Sequence, residues 1–182
     1  MQKFTLFFHN IFLLHPFCNN MLIGIIADTH DRLRVVEKAL SLFKEKDITT
    51  VLHAGDFISP FVIPLFKDFH MYGTFGNNDG EKKGLLTKCN DIKATIQEYF
   101  CEVHLDNVDI AVTHGHIPSL LELLVNSHLY HVVVTGHTHA PEIKEGNPTM
   151  INPGECCGYL SSRCTVAIFD TQKRKGEIIE VI

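Results

Sequence analysis

The chain has 182 residues, of which 45% are hydrophobic and 20% charged, and its formal net charge is −5 with histidine neutral. That is enough for one well-packed domain and too few for two comfortable ones, and the balance excludes a disordered chain. An acidic chain lacks the basic face that passive nucleic-acid binding needs, but it does not exclude a phosphate substrate where metal supplies local positive charge.

The stretch FTLFFHNIFLLHPF at 4–17 is apolar but broken by His9, Asn10, His15 and Pro16. It is too short and interrupted for a membrane span. It makes a poor signal sequence, with Lys3 as its positive region and no A-x-A-like cleavage site, or it is sequence upstream of a natural start at Met21. Residues 1–20 are therefore expected to lie outside the fold, and residues 21–182 to form one domain.

From Met21 apolar runs alternate with helical patterns. MLIGIIAD (21–28) reads as a buried strand. RLRVVEKALSLFKEK (32–46) places Leu33, Val36, Leu40 and Phe43 at helical spacing. ITTVLHAGD (48–56) is a second strand. SPFVIPLFKDF (59–69) is expected to be a helix opened by Ser59 with Pro60 in its first turn, although Pro64 weakens it. HMYGTFGN (70–77) is a third strand, and this order implies a parallel sheet with right-handed crossovers. A helix is expected within Lys82 to Gln97. YFCEVHLD (99–106) and VDIAVTHG (108–115) flank Asn107 closely enough to form a hairpin. PSLLELLVNSH (118–128) is a helix with proline at its start. HVVVTGH (131–137), PTMINPG (148–154), CTVAIFD (164–170) and EIIEVI (177–182) are all strand-like, so the tail is richer in strands than the front.

The six cysteines, Cys18, Cys89, Cys101, Cys156, Cys157 and Cys164, form no C-x-x-C pair, and Cys156 adjoins Cys157. Reduced thiols in a cytoplasmic protein are the expectation. Twelve histidines is a high count, and their placement is informative. In α/β sheets ligands bind beyond the carboxyl ends of strands. Five such ends carry polar residues here: Asp28-Thr29-His30, Gly55-Asp56, Gly76-Asn77-Asn78-Asp79, His114-Gly115-His116 and Gly136-His137-Thr138-His139. Residues at i and i+2 of an extended segment share a face, so Asp28 with His30, and His137 with His139, can each offer two ligands to one spot.

Taken singly, each motif is ordinary. An aspartate after a strand is usually a helix cap or turn former, a lone His-x-His is usually a surface loop, and Asn77 alone is a turn. The conjunction is what points to metal. Carboxylates, imidazoles and an amide oxygen together suit Mn²⁺, Fe²⁺, Ni²⁺, Co²⁺ or Zn²⁺ better than Ca²⁺ or Mg²⁺.

In order, D-x-H (28–30), G-D (55–56), G-N-x-D (76–79), G-H (115–116, preceded by His114) and G-H-x-H (136–139) resemble the signature of the calcineurin-like metallophosphoesterases. HAGD at 53–56, GHTH at 136–139 and INPG at 151–154 look most like the small YfcE-type phosphodiesterases. The resemblance covers Met21 to Ile182. It implies a four-layer α/β/β/α sandwich with two divalent metal ions, manganese first, with Ni, Co, Fe or Zn as alternatives. By the family pattern, Asp28, His30, Asp56 and His139 hold one ion. Asp56, Asn77, His114 and His137 hold the other, with Asp56 bridging. The implied reaction is phosphodiester hydrolysis by in-line attack of a hydroxide shared by the two ions. The implied partner is a small phosphate-ester substrate, with no specific nucleic-acid binding and no membrane, and with homo-oligomerisation open.

Many phosphoesterases of this superfamily read G-N-H-[DE]; here the histidine position is Asn78, which can donate a hydrogen bond but not a proton at neutral pH. A preference for good leaving groups follows, with His116 as the substitute acid. His53 is expected to pack beside Asp56, and His70, His104, His128 and His131 to be structural or solvent-facing. Glu155 and the Cys156-Cys157 pair follow INPG, where related sequences often carry serine, and no role is assigned to them. The alternative function is a non-catalytic scaffold of the same fold, as in the retromer-subunit branch, or a metal-binding module without turnover. The intact set of seven candidate ligands favours the enzyme.

Overall fold

The computed structural model describes residues 21–182, so the extension expected at 1–20 lies outside the described residues. The front half follows the predicted alternation: β1 (Leu22–Ile26), α1 (Leu33–Glu45), β2 (Thr50–His53), β3 (His70–Thr74), α2 (Lys82–Ile92) and β4 (Thr95–Gln97). α1 forms because Val35, Val36, Ala39, Leu40 and Phe43 make one buried stripe.

The helix expected over 59–69 is instead a short 3₁₀ turn at Ile63–Phe66. Pro64 has no N–H to give to the carbonyl of Pro60, and its ring would crowd that carbonyl in an α-helix. The segment closes through i→i+3 bonds, such as Leu65 N–H to Val62 O at 3.2 Å. The stretch Lys82 to Gln97 divides. Lys93 takes a left-handed backbone (φ 59°) and ends α2, and β4 follows at once.

The second half holds β5 (Phe100–Leu105), β6 (Val108–Thr113), α3 (Pro118–Asn126), β7 (Val132–Val134), β8 (Glu142–Lys144), β9 (Thr149–Asn152), β10 (Thr165–Asp170) and β11 (Lys175–Glu180). β5 and β6 form the expected antiparallel hairpin. Its turn residues Asp106 and Asn107 both have positive φ (47° and 60°), the requirement of a type I′ turn.

Two sheets result. One runs β11-β10-β1-β2-β3-β4 and the other β5-β6-β7-β9-β8. β1 to β4 pair in parallel, and β10 and β11 extend that sheet antiparallel. Three apolar cores separate four layers. Val36, Phe43, Val51, Phe66 and Met71 lie among the residues packed between α1, α2 and the first sheet. Ile23, Ile25, Leu52, Val103, Ile110 and Phe169 fill the space between the sheets. Ala111, Leu124, Tyr130 and Val133 join the second sheet to α3. The α/β/β/α sandwich is thus present, and the carboxyl ends of β1, β2, β3, β6 and β7 each carry one of the five polar loops.

Candidate metal centre

The loops that carry the predicted ligands leave extended geometry at once. β1 stops at Ile26 and β7 at Val134. Asp28 (φ 50°), His30 (40°), Asp56 (58°), His137 (67°) and His139 (60°) all have left-handed backbones. Aspartate and histidine tolerate this region better than most residues, and such strain concentrates at functional sites. The extended i, i+2 geometry expected of these pairs is therefore replaced by tight turns. Asp28 and His30 do reach one spot. His137 and His139 part: His139 Nε2 lies 3.4 Å from Asp28 Oδ1, while the His137 ring sits edge-on to His114 at 5.1 Å.

The loops are stitched together by backbone. Asp28 N–H donates to Gly55 O, and Thr29 N–H and His30 N–H donate to Asp56 O, at 3.1–3.2 Å. Asn152 of the INPG stretch gives its side-chain amide to Gly136 O and Thr138 Oγ1 (2.8 and 2.9 Å) and so fixes the GHTH loop. His53 is fully buried, stacked on Phe57 at 3.6 Å, and accepts the Gly55 N–H at 3.1 Å.

One donor group is Asp28, His30, Asp56 and His139, whose ligand atoms all lie within 4.8 Å of one another. His30 Nε2 is 3.4 Å from Asp56 Oδ2 and 3.9 Å from Asp28 Oδ1. Among the described residues Asp28 Oδ1 and His30 Nε2 are buried without a hydrogen-bond partner. Such orphans are costly and rare; a cation held among these four residues would satisfy both. Two glycines make room. A Cβ on Gly136 would stand 2.8 Å from Asp28 Oδ2, and one on Gly76 2.1 Å from Asp56 Oδ1. The residues therefore fit a metal ion.

A second group shares Asp56. His114 Nδ1–H is held by Ala54 O at 2.8 Å, which aims Nε2 at Asn77 Oδ1 (3.0 Å) and Asp56 Oδ2 (3.5 Å). Asn78 lies on Asp56: its backbone N–H donates to Oδ1 at 2.9 Å and its side-chain amide to Oδ2 at 2.7 Å. His116 lies beside the group, 5.3 Å from His114 and 6.2 Å from His137 between ring centres, with Nδ1 buried and unpartnered among the described residues.

Burial raises the Asp28 carboxyl to about 6, with His114 and His139 pulling the other way. Burial also opposes ionisation of Asp56, but His114 and Asn78 outweigh it and hold this carboxyl well below the usual carboxylate range. His114 is raised: burial works against its charge, and Asp56 more than compensates. Burial lowers His30, His116 and His137, with neighbouring imidazoles adding to the effect. For His30 and His137, an imidazole kept neutral is the form that binds metal.

Two carboxylates behind the loops carry more than the sequence suggested. Asp79, the last residue of the G-N-x-D stretch, is buried. It accepts the N–H groups of Asp56 (3.0 Å), Gly76 (2.7 Å) and Ile58 (2.8 Å). Glu155, which has no role in the motif pattern, is fully buried against His139 Nδ1 at 2.8 Å. The acidic residue just after INPG was the one visible signal; nothing in a single sequence pairs it with a histidine 16 positions earlier.

The chain is similar to proteins already known. Residues 21–174 match the calcineurin-like phosphoesterase superfamily domain. The chain is 43% identical over 159 residues to a phosphodiesterase of Methanocaldococcus jannaschii, covering 85% of this chain and 96% of that protein. A solved archaeal phosphodiesterase, also 43% identical, superposes with a TM-score of 0.83 over 88% of this chain and 99% of its own. The YfcE phosphoesterase of E. coli shares the fold at 18% identity, with a TM-score of 0.62 over 89% and 100% of the two chains.

Proposed function

Because the chain belongs to the calcineurin-like phosphoesterase superfamily, we propose that it is a metal-dependent phosphodiesterase acting on a small phosphate-ester substrate. One observation carries the reading: two groups of donors share Asp56, and among the described residues buried Asp28 Oδ1 and His30 Nε2 have no hydrogen-bond partner. Asp28, His30, Asp56 and His139 are inferred to hold one ion, and Asp56, Asn77, His114 and His137 the other. The mixed nitrogen and oxygen donors support manganese, or another mid-row divalent ion, over calcium or magnesium.

A bound divalent pair supplies Lewis acidity toward phosphoryl oxygens and a hydroxide nucleophile near neutral pH. The chain's own residues do the rest. Asp56, fixed by Asn78 and by the backbone N–H it gives to Asp79, sets the spacing of the two groups. Asn78 therefore acts on the carboxylate and supplies no proton to a leaving group. His116 stands next to the second group, with Nδ1 unpartnered among the described residues, and in its protonated form is inferred to give that proton. Five described cysteines are free, which supports a cytoplasmic setting. Among the described residues no helix is long and apolar enough to cross a membrane.

The test is hydrolysis of a chromogenic phosphodiester after chelation and re-addition of Mn²⁺, Ni²⁺, Co²⁺ or Zn²⁺. Restored activity that disappears in Asp56→Ala is expected. Metal binding without turnover for all four ions would instead favour a non-catalytic module. Across a series of leaving groups, His116→Ala is expected to slow alkyl esters more than aryl esters; equal slowing would remove His116 as the acid.

A further inference from the structure

Glu155 is fully buried, yet it belongs to no core and to neither donor group. Its two oxygens are surrounded by donors. Oε1 accepts the N–H groups of Leu160 (2.9 Å) and Ser161. Oε2 accepts the Tyr159 N–H (3.0 Å) and the Cys157 thiol (3.2 Å) and lies 2.8 Å from His139 Nδ1. Backbone N–H groups can only donate, so both oxygens are acceptors and Nδ1 of His139 must carry the proton. That leaves the lone pair on Nε2, the atom that faces Asp28 Oδ1 at 3.4 Å inside the first donor group.

We propose that Glu155 is a positioning residue for the metal centre: it fixes the tautomer and ring orientation of His139 so that Nε2 is presented to the ion, and by the same carboxylate it ties down the 159–161 turn. The inference rests on the metal-centre reading above. The turn it holds brings Tyr159, which is exposed, to 6.4 Å from the His30 ring, so one buried carboxylate sets both a ligand and the rim beside it. The backbone supports the arrangement independently, since Cys156 N–H and Cys157 N–H donate to Ala27 O and Asp28 O at 3.0 Å and lock the Glu155 loop to the Asp28 loop. Carboxylates placed behind a metal-binding histidine typically govern affinity by 10–100-fold.

The experiment is Co²⁺ binding by equilibrium dialysis with visible absorption, on wild type, Glu155→Gln, His139→Ala and the double variant, together with ¹⁵N NMR of histidine rings in metal-free wild type. Wild type is expected to bind two Co²⁺. Glu155→Gln is expected to weaken one of them about 10–100-fold and to change its absorption band. In the His139→Ala background, Glu155→Gln should change Co²⁺ affinity by less than about twofold, because the two residues act as one unit. The metal-free spectrum should show His139 as the Nδ1–H tautomer. Equal affinity in wild type and Glu155→Gln, or an undiminished loss in the His139→Ala background, overturns the inference alone. So does an Nε2–H tautomer in wild type, a result that needs no variant to fold. Wild type that binds no Co²⁺ sinks the metal-centre reading and this inference with it.

Discussion

Gly76→Ala isolates the geometry of the shared carboxylate. Gly76 has no positive φ, so alanine there meets no backbone strain. Its Cβ would stand 2.1 Å from Asp56 Oδ1, 2.5 Å from Asp56 N and 2.8 Å from Asp56 Cγ. Contacts below 3.0 Å are not sustained, so the Asp56 oxygen must retreat by about 0.9 Å. A change of side-chain rotamer does not relieve the clash, since the backbone nitrogen is also in the way. The whole Asp56 loop has to move, and with it the oxygen nearest to both His30 and His114. A misplacement of about 1 Å at a reacting centre costs on the order of 100-fold, or about 2.7 kcal/mol of barrier, and overpacking takes about 1–3 kcal/mol from stability. Phosphodiester hydrolysis at saturating metal, with the melting temperature of the metal-free protein, measures both. Gly80→Ala is the internal control, because nothing lies within 4 Å of its Cβ position. Gly76→Ala with wild-type turnover, or Gly80→Ala with the same defect, would refute the reasoning.

Other outcomes follow from the same contacts. Asp28 is raised by burial to about 6 and must be ionised to bind a cation. Apparent metal affinity should therefore fall at least about tenfold per pH unit below 6; calorimetric titration from pH 5 to 8 would detect a flat profile, which would exclude Asp28 as a ligand. Asp79→Asn turns one acceptor of three backbone N–H groups into a donor and should cost about 1–3 kcal/mol in urea unfolding of the metal-free protein. A loss below about 0.5 kcal/mol would show that those N–H groups find other partners. Burial pushes the Cys89 and Cys157 thiols up to about 12 and Cys101 to about 11. At pH 8 a thiol near 12 is ionised to about one part in ten thousand. In a Cys18→Ser background a disulfide reagent should therefore label native protein far more slowly than urea-unfolded protein; a thiol titrating within seconds would contradict the described burial.

The fold was legible where periodicity was long and strong. The five polar strand ends stood out because metal-ligand residue types recur at all five together, and the sheet order puts their loops side by side. β4 and β8, of three residues each, were too short for a period of two to register. The helix expected at 59–69 failed because Pro64 gives no N–H to the Pro60 carbonyl and its ring would crowd that carbonyl in an α-helix. The positions of His137 and His139 depended on left-handed turns, and the sign of φ at a histidine is not written in its neighbours. Glu155 and Asp79 escaped full reading for a related reason: most of their partners are backbone N–H groups, which nearly every residue carries and no sequence advertises.

Each inferred ion would draw on both sheets. Asp28, His30, Asp56 and Asn77 follow strands of the first, and His114, His137 and His139 follow strands of the second. The metals would therefore act as a hasp across the open end of the sandwich, where the apolar core between the sheets gives way to polar loops. An ion at a hundred times its dissociation constant adds about 2.7 kcal/mol to the folded state, delivered at that seam. Stripping the metals would not only silence the site. It would leave the two sheets held at that end by the hydrogen bonds between their loops, and amide exchange would rise first along the mouth between the sheets.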